Sequence, residues 1–520
     1  MSKPLTFGKS DVFLSSTLDG TSGTIGPNTP FRILILGDWS GRGSRAVQNS
    51  SDEIGRMRPV FVDRDNFDTV LGKMGVEVAL RSTNPQVAGA TVKFAELDDF
   101  HPDGIYKQVG LFATLRNLRS ELGNTRTFEA AAATVRGWSD VKAKRPNSSP
   151  EPEAPPKAVG EVTGASLLEQ MLAGGQRQVP VASSPTKGED VAWDNFLQDL
   201  VKPYIQPGND SEQPELIDVV DKTTSVLMRS ILHDSNFKDL EAAWRALYYL
   251  VRGLDTGTEL KLYLLDVSKG ELTADLNSTE KLTETGIYKL LVEQTVGTPG
   301  AELWAVLCGN YSFGADDEDM ETLSRIAKIA LQAGAPFLSS VKPEVIGCDS
   351  PADLADCRET TGRSIVNESF SVLRGLHEAT YLGLAVPRFL LRLPYGKDTD
   401  EIERFSFEEF EGKVEHEAYL WGNPAFICTY LLAQSFNEQG WEFRPGANLQ
   451  VEGLPMHTFE EDGSFETKPC AEVLLSERAA DAIMSKGVMP LLSLKGADTI
   501  RLARFQSVAE PASALNGPWG

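Results

Sequence analysis

The sequence predicts an α/β fold in which mixed sheets are flanked by helices. Apolar stretches of strand-forming residues recur along the chain, and segments whose apolar residues follow helical spacing alternate with them. The chain has 520 residues, of which 41% are hydrophobic, and this is enough to fill the cores of about three domains. No internal repeat is evident in the sequence.

Residues 31–142 predict a small α/β part, which an extended N-terminal arm over residues 1–30 precedes. The run FRILIL, from Phe31, has the length and apolar content of a buried strand, and GVEVAL and ATVKFAEL predict two more strands. A helix is predicted to begin after Pro102, with Asp103 as its N-cap. It is predicted to continue to Leu122, because apolar residues recur at helical spacing from Val109 onward.

Residues 193–520 predict a larger α/β part. Helices and strands alternate within it, as in other α/β architectures. The predicted helices are Ser225–Val251, Glu321–Ala333 and Asn423–Glu438, and the predicted strands are Leu260–Val267, Leu303–Asn310, a segment near Pro336 and a segment that begins at Pro469.

Residues 143–192 separate the two parts and predict a linker. The segment KRPNSSPEPEAPPKAVG carries five prolines and almost no large apolar side chains, so it cannot bury enough surface to form a core. One short amphipathic helix is predicted inside this region, and its apolar face comprises Leu167, Leu168, Met171 and Leu172.

The charge of the chain disfavours two classes of partner. A formal net charge of -24 and a pI near 4.7 argue against binding to nucleic acid phosphates or to an anionic membrane surface. The five cysteines are scattered without a C-x-x-C pair, which is typical of reduced core thiols in a cytosol. Neither a signal peptide nor a membrane-spanning run is evident, so we expect a cytoplasmic location without membrane insertion.

The glycine-rich turn GDWSGRGSRA raises the question of an enzyme. Gly41, Gly43 and Ala46 spell G-x-G-x-x-A, but a dinucleotide-binding fingerprint also places its first glycine at the strand end and a helix directly after the loop. The sequence pattern offers neither, and the five histidines lack metal-ligand spacing. We therefore expect no catalytic residue, metal or cofactor. The alternative is a cytosolic enzyme with a site near Gly41 or at the carboxylates of Asp316–Asp319.

The larger part contains unusual combinations of aromatic and backbone-setting residues. They are NFKDLEAAWRALYYLV, DVSKGELTADL, GNYSF, YLGLAVPRFLLRLPYG and YLWGNPAF. These segments resemble the large subunit of the contractile sheath of bacterial type VI secretion systems, from about Ser166 to the ARFQS segment near the C-terminus. Ala246, where the family often has glycine, and GNYSF in place of GDYEF depart from the pattern. The resemblance implies structural roles for Arg388, Arg392 and Trp421.

The smaller part carries FRILILGDWSGR, PVFVDRDNFDTVL, FAELDDFHPD and LRNLRSEL. These segments resemble the small subunit of the same sheath over roughly Phe31–Leu122. In most such systems the two subunits are separate chains that form a tight heterodimer. The resemblance therefore implies small and large sheath-subunit-like parts that pack together within one chain, an arrangement that enforces equal stoichiometry and raises the effective concentration for docking.

The resemblance also implies a function. Family sheaths polymerise into a helical tube around an inner tube protein, assemble on a baseplate and contract to propel the inner tube. Their protomers exchange terminal strands, and an AAA+ disaggregase grips a short helix near the start of the large subunit. One alternative is a non-polymerising secretion adaptor. For the terminal segments the alternative is ordinary frayed chain ends, and for the short helix it is packing on its own protomer. The candidate strand-exchange residues are Val12, Phe13 and Leu14 near the N-terminus and Leu502, Ala503, Arg504 and Phe505 near the C-terminus. The candidate disaggregase helix is the one that contains Leu167, Leu168, Met171 and Leu172.

The segment YLGLAVPRFLLRLPYG yields two expectations about contacts. Phe389, Leu391 and Leu393 alternate with their neighbours, which predicts a strand with one buried set of side chains. Arg388 or Arg392 is expected to reach a carboxylate or a backbone carbonyl.

Overall fold

The computed structural model describes residues 29–81, 87, 89–140, 213–298, 300–358, 368–411, 415–461 and 463–519. Within these ranges the chain forms two compact units. The first unit contains residues 29–111 and 225–519, and the second contains the described residues of 112–224. The first unit therefore combines elements from both of the α/β parts that the sequence predicts.

A nine-stranded mixed sheet organises the first unit, together with three two-stranded ladders. The strands of the described residues are, in chain order, β1 (Phe31–Gly37), β2 (Val60–Val62), β3 (Val76–Ala79), β4 (Thr91–Phe94), β5 (Leu260–Asp266), β6 (Val306–Phe313), β7 (Phe337–Val341), β8 (Leu382–Val386), β9 (Phe389–Leu390), β10 (Trp421–Gly422), β11 (Gln450–Val451), β12 (His457–Glu461), β13 (Ser464–Lys468), β14 (Met489–Ser493) and β15 (Ile500–Leu502). The order in the large sheet is β11-β15-β14-β8-β7-β6-β1-β5-β2. The mixed α/β class that the sequence predicts is confirmed.

Strand β1 lies inside the large sheet because it pairs in parallel with β5 on one side and with β6 on the other. Ile33, for example, lies opposite Leu262 of β5 and Val306 of β6. The apolar residues of β1 are at most 2% exposed, since both faces of the strand are covered. This burial explains the nearly uninterrupted apolar run FRILIL, which is typical of interior strands in parallel sheets.

Helices connect and flank these strands. They are α1 (Ser51–Ile54), α2 (Phe67–Met74), α3 (Pro102–Gln108), α4 (Ala113–Gly123), α5 (Phe128–Asp140), α6 (Gln213–Leu232), α7 (Ser235–Gly253), α8 (Lys269–Asn277), α9 (Gly286–Tyr288), α10 (Asp317–Ala333), α11 (Glu368–Arg374), α12 (Ala425–Gln439) and α13 (Glu477–Ser485). The main apolar core of the first unit joins residues of β1 and β5–β8 to residues of α8, α10 and α13.

The boundaries of two predicted helices were wrong. The predicted helix Ser225–Val251 is two helices, α6 and α7, because the Asp234 carboxylate between them caps α7 by accepting hydrogen bonds from the N–H groups of Asn236 and Phe237 at 3.0 and 3.1 Å. The helix predicted from the Asp103 cap to Leu122 is likewise two helices, α3 and α4, and the N-cap of α3 is His101. Apolar periodicity continues across both breaks, so it does not reveal them.

The strand predicted from Pro469 was also wrong. Ala471 makes only an isolated bridge to Phe389, and the regular strand of this region is β13, which lies immediately before Pro469. The next residue, Glu472, completes this bridge by donating its backbone N–H to the Arg388 carbonyl at 2.9 Å, and its side chain accepts hydrogen bonds from Arg388.

The second unit contains α4, α5 and the first part of α6. Leu115, Leu118 and Leu122 of α4 are buried. Arg119 of α4 and Asp221 of α6 form a two-pronged ion pair, in which guanidinium nitrogens lie 2.6 and 3.1 Å from the two carboxylate oxygens. Among the described helices of the chain, none combines the length and the apolar character that a bilayer span requires.

The position of β1 predicts the outcome of a cut between the two parts of the chain. We expect that cleavage at a protease site inserted into residues 143–160 leaves the fragments associated, because β1 and β2 keep their hydrogen bonds to β5 and β6. The fragments should co-elute on a sizing column in low and in high salt, and separate only in denaturant. Separate elution of folded fragments in buffer would contradict the shared sheet.

Candidate functional site

The turn GDWSGR follows β1 and uses its amide groups internally. The N–H groups of Arg42 and Gly43 both donate to the carboxylate of Asp38, at 2.8 Å each. These are the amides that a phosphate-binding loop offers to its ligand. A carboxylate of the same chain already occupies them, so the structure gives no support to a nucleotide site at Gly41. Burial, opposed by these hydrogen bonds and reinforced by the charge of Asp266, raises the pKa of Asp38.

Gly41 serves close packing. Its φ of 73° lies in the left-handed region, and a Cβ at this position would lie 2.2 Å from the carbonyl oxygen of Glu77 in β3. Only glycine satisfies both conditions. The glycine pattern therefore reflects the approach of the turn to β3.

Trp39 attaches the same turn to α7. Its ring is fully buried and lies at 72° to the ring of Trp244, with 5.4 Å between the ring centroids. The Trp244 indole N–H donates to the Trp39 carbonyl at 2.9 Å, and the Trp39 backbone N–H donates to the Asp266 carboxylate at 2.8 Å. Packing and hydrogen bonding thus join the turn to α7, which belongs to the larger part of the chain.

Arg42 extends this contact to the DVSKGE segment. Its guanidinium lies 3.1 Å from a carboxylate oxygen of Asp266 and 3.5 Å from one of Glu271. Glu271 is fully buried and also accepts hydrogen bonds from the N–H groups of Asn49 and Ser268, each at 2.8 Å. Three segments singled out in the sequence, GDWSGR, LEAAWR and DVSKGE, therefore meet at one place. We call the contacts of Trp39 and Arg42 with the other two segments the turn junction.

Arg392 lies in a buried ion-pair cluster. It donates to Glu241 at 2.9 Å and to Glu409 at 2.7 Å, and Arg245 donates to Glu241 at 2.7 Å and to the Tyr395 hydroxyl at 2.8 Å. Burial disfavours the charged form of Glu409, but the charge of Arg392 and the hydrogen bonds to the carboxylate outweigh it and lower the pKa of Glu409 to about 2.

Arg388 forms a second cluster nearer the surface. Its backbone N–H and its Nε donate to Glu472 at 3.1 and 3.0 Å, and another guanidinium nitrogen lies 3.0 Å from Glu417. Burial opposes ionisation of Glu472, yet the hydrogen bonds from His416 and Arg388 lower its pKa to about 2. The expectation that one of these arginines reaches a carboxylate is confirmed, because both do.

The expected alternation in PRFLLRLPYG was wrong. Phe389 and Leu390 are both fully buried, because β9 has only two residues and other chain segments cover both of its faces. Its ladder partner is β10, where Trp421 is opposite Leu390. The Trp421 indole N–H donates to the carbonyl of His416 at 3.0 Å, which ties β10 to the Arg388 cluster.

His416, Glu417 and Glu472 place ligand atoms within 4.8 Å of one another, as a metal site requires. Both ring nitrogens of His416 already have partners, Glu472 at 3.0 Å and Lys468 at 2.7 Å. The positive charges of Arg388 and Lys468 beside these groups oppose a cation. The chemistry of this cluster fits an ion-pair network better than a metal centre.

A cleft of about 760 Å³ lies at the carboxyl ends of the parallel strands, where α/β folds commonly bind ligands. Its lining includes Asp38 after β1, Ser268 after β5 and Arg388 after β8. Two of its cations are already paired, Arg388 with Glu472 and Lys269 with Asp319 at 2.7 Å. The cleft therefore does not select a ligand of one charge.

The acidic cluster of the enzyme alternative lies at the start of α10. Asp316 caps this helix by accepting from the Asp319 N–H at 2.9 Å, and Asp319 also accepts from the Gly314 N–H at 2.5 Å. Carboxylates here suit the helix dipole. These contacts give Asp316–Asp319 a structural role.

Of the candidate strand-exchange residues near the C-terminus, Leu502 lies in β15 and the other three follow the end of that strand. Leu502 of β15 is opposite Leu491 of β14, and the Ala503 N–H donates to the Pro490 carbonyl at 3.1 Å. Phe505 is 5% exposed, and Arg504 donates to Gln506 at 2.7 Å. The other candidates lie outside the described residues; they are Val12, Phe13, Leu14, Leu167, Leu168, Met171 and Leu172.

Sequence reasoning missed the acidic partners of Arg388 and Arg392, namely Glu241, Glu409 and Glu472. One signal was available for Glu241, because it lies four residues before Arg245 on a predicted helix, which is the spacing of a helical ion pair. Its burial next to a second arginine has no signature in the sequence.

The turn junction predicts a large effect of Trp39→Ala. We expect the free energy of unfolding to fall by about 3–5 kcal/mol, because a fully buried indole is removed from between β1 and α7. Val47→Ala is the matched control, since Val47 belongs to the same loop but is 45% exposed, and its effect should stay within about 0.5 kcal/mol. Chemical denaturation measures both. Equal losses of unfolding free energy for the two substitutions would contradict the stabilising role of Trp39 in the turn junction.

The buried carboxylates predict loss of stability in acid. The pKa of Glu409 and Glu472 is about 2 in the fold, below the value of about 4.3 for an unfolded glutamate, so their contribution is complete above about pH 5 and is lost as the pH falls towards 2. Each contributes about 3 kcal/mol on this basis. Glu409→Gln should weaken the acid dependence of unfolding, whereas Glu442→Gln on the surface should not. Identical pH profiles for wild type and Glu409→Gln would contradict this.

Two family models match this chain. The VipB model, described as "EvpB/VC_A0108, tail sheath N-terminal domain", matches residues 214–509, which is more than half of the chain. The model described as "Type VI secretion system, VipA, VC_A0107 or Hcp2" matches residues 22–134. The turn junction therefore joins a VipA-like segment to a VipB-like segment.

A curated relative agrees with these matches. The type VI secretion system sheath protein TssC1 of Pseudomonas aeruginosa is 35% identical over 305 residues, which cover 57% of this chain and 61% of the relative. The chain thus spans about three fifths of the length of that relative. With the VipB match over most of the large sheet, and the VipA match over β1 and its turn, the chain belongs to the type VI secretion tail sheath family, whose members are structural proteins and not enzymes.

Proposed function

We propose that this chain is the protomer of a cytoplasmic contractile sheath, which polymerises into a helical tube around an inner tube protein and contracts from a baseplate to drive that tube outward. The observation that carries this proposal is the position of β1. A VipA-like strand lies between two strands of the VipB-like sheet, so one chain supplies both kinds of sheath segment as a single body. Fusion fixes their stoichiometry at one to one.

Strand exchange between protomers is the second element of the proposal. The strand order ends at β2 on one side and at β11 on the other, and Val60 of β2 is 39% exposed. An extended segment of a neighbouring copy fits such an edge by main-chain hydrogen bonding. The proposed donors are the arm around Val12, Phe13 and Leu14 and, after release from β14, the segment Leu502–Phe505.

Contraction then requires rigid bodies and compliant connections. The buried sheet and its ion-pair clusters favour a body that moves as a unit, whereas extended arms can reorient without leaving the neighbour's sheet. Energy stored at assembly would drive the stroke without ATP.

An AAA+ disaggregase would later grip the helix whose apolar face comprises Leu167, Leu168, Met171 and Leu172. The substitution Leu168→Glu should then slow the disassembly of contracted tubes by that ATPase. Light scattering would follow this disassembly.

Deletion of residues 1–19 tests the sheath proposal most directly. We expect soluble protomers in place of tubes in negative-stain electron micrographs, because the deletion leaves a neighbour's sheet edge unpaired. Lengthening the chain between Thr17 and Phe31 is the matched control: it keeps the added strand, so tubes should assemble but stay extended.

Two outcomes would count against the proposal. Normal assembly and contraction of the deleted chain would remove the role of the arm. Compact particles from the intact chain under conditions that assemble other sheaths would favour a non-polymerising secretion adaptor.

A further inference from the structure

Cys348, Cys357 and Lys486 form a cluster that the sheath proposal does not use. The Lys486 ammonium nitrogen lies 3.4 Å from the Cys357 sulfur and 2.7 Å from the carbonyl oxygen of Ile346. The thiols of Cys348 and Cys357 also share a hydrogen bond. The three side chains come from a short loop after β7 and from the end of α13.

Lys486 makes this cluster unusual because it is only 9% exposed. A buried ammonium needs a negative partner, yet no carboxylate of the described residues lies within ion-pair distance of it. Cys357 is the ionisable group that contacts it directly. Among the described residues, other charged groups near the cluster are Asp353 on the same loop and Arg358, which follows Cys357. Arg374 lies beside the end of α13, where it donates to the Ser485 carbonyl and pairs with Glu510.

We propose that Cys357 is a reactive thiolate that peroxides and soft electrophiles modify, that Lys486 positions and stabilises it, and that Cys348 resolves its oxidised form. The electrostatics of the cluster agree with these roles. The hydrogen bond from Cys348 and the charge of Lys486 lower the pKa of Cys357 to about 6, although burial opposes them. The same hydrogen bond raises the pKa of Cys348.

The other cysteines provide internal controls. Cys308, Cys428 and Cys470 are fully buried, and burial raises the pKa of each. Cys348 and Cys357 are each 6% exposed, so they keep some contact with solvent that the other three cysteines lack. Reactivity in the native chain should therefore be confined to the cluster.

The oxidation balances with one equivalent of hydrogen peroxide. The Cys357 thiolate attacks one peroxide oxygen, the O–O bond breaks, and the hydroxide that leaves takes a proton from solvent, which yields water and a sulfenic acid. The Cys348 thiol then attacks the Cys357 sulfur, and the sulfenic oxygen leaves as water with the thiol proton. Two thiols and one hydrogen peroxide thus give one disulfide and two waters.

Alkylation of the intact chain tests the thiolate. Alkylation by iodoacetamide is followed by peptide mass spectrometry. We expect Cys357 to react at pH 7 about tenfold faster than an ordinary thiol, and the pH at which its alkylation rate is half-maximal should lie near its lowered pKa. Lys486→Met should remove most of this advantage, and Lys486→Arg should retain it. Protection of Cys308 reports that each variant is folded. A midpoint above pH 8 in the wild-type chain would overturn the proposal.

Hydrogen peroxide tests the resolving role. The wild-type chain should form a Cys348–Cys357 disulfide, and Cys348→Ser should instead accumulate a sulfenic acid at Cys357 that dimedone traps. Cys357→Ser should leave Cys348 unmodified. Oxidation of Cys348 in that last variant, or no product at Cys357 in the wild type, would overturn the assignment.

Discussion

The parallel pairing of β1 between β5 and β6 is the constraint on which the first unit depends. An interior strand of a sheet is not stable alone, because its backbone N–H and C=O groups are all hydrogen-bonded only when both neighbouring strands are in place. The residues that pair are more than 200 positions apart in the chain, so forming this contact costs more loop-closure entropy than forming a local one. Joining both partners in one polypeptide turns a bimolecular encounter into an intramolecular one.

The turn after β1 shows how one pattern serves a different physical purpose. In a nucleotide-binding loop, glycines let backbone amides approach a phosphate, whereas here Asp38 takes those amides and Gly41 lets the turn approach β3. Trp39 and Arg42 then contact LEAAWR and DVSKGE, two of the segments that carry the family resemblance. The glycine-rich pattern of this turn therefore reflects a packing contact between the smaller and the larger part of the chain.

Sequence alone predicted the elements whose signal is local. FRILIL gives a buried strand because an interior parallel strand needs apolar residues on both faces, and α10 follows from helical periodicity. The break at Asp234 was missed because capping competes with an apolar pattern that continues through it. The order of the nine strands and the partners of Arg388 and Arg392 could not be predicted, since they depend on segments distant in the chain.

The route by which force would enter the protomer depends on the same constraint. On the proposed function, a neighbour pulls on the N-terminal arm, which continues directly into β1 at Phe31. Tension along a strand that is paired on both sides loads its hydrogen bonds in shear, so they share the load instead of breaking one at a time. Phe31 is further held by stacking on Phe436, with ring centroids 4.6 Å apart. The arm therefore joins the fold at an interior strand, and compliance is expected in the arm and not in the body.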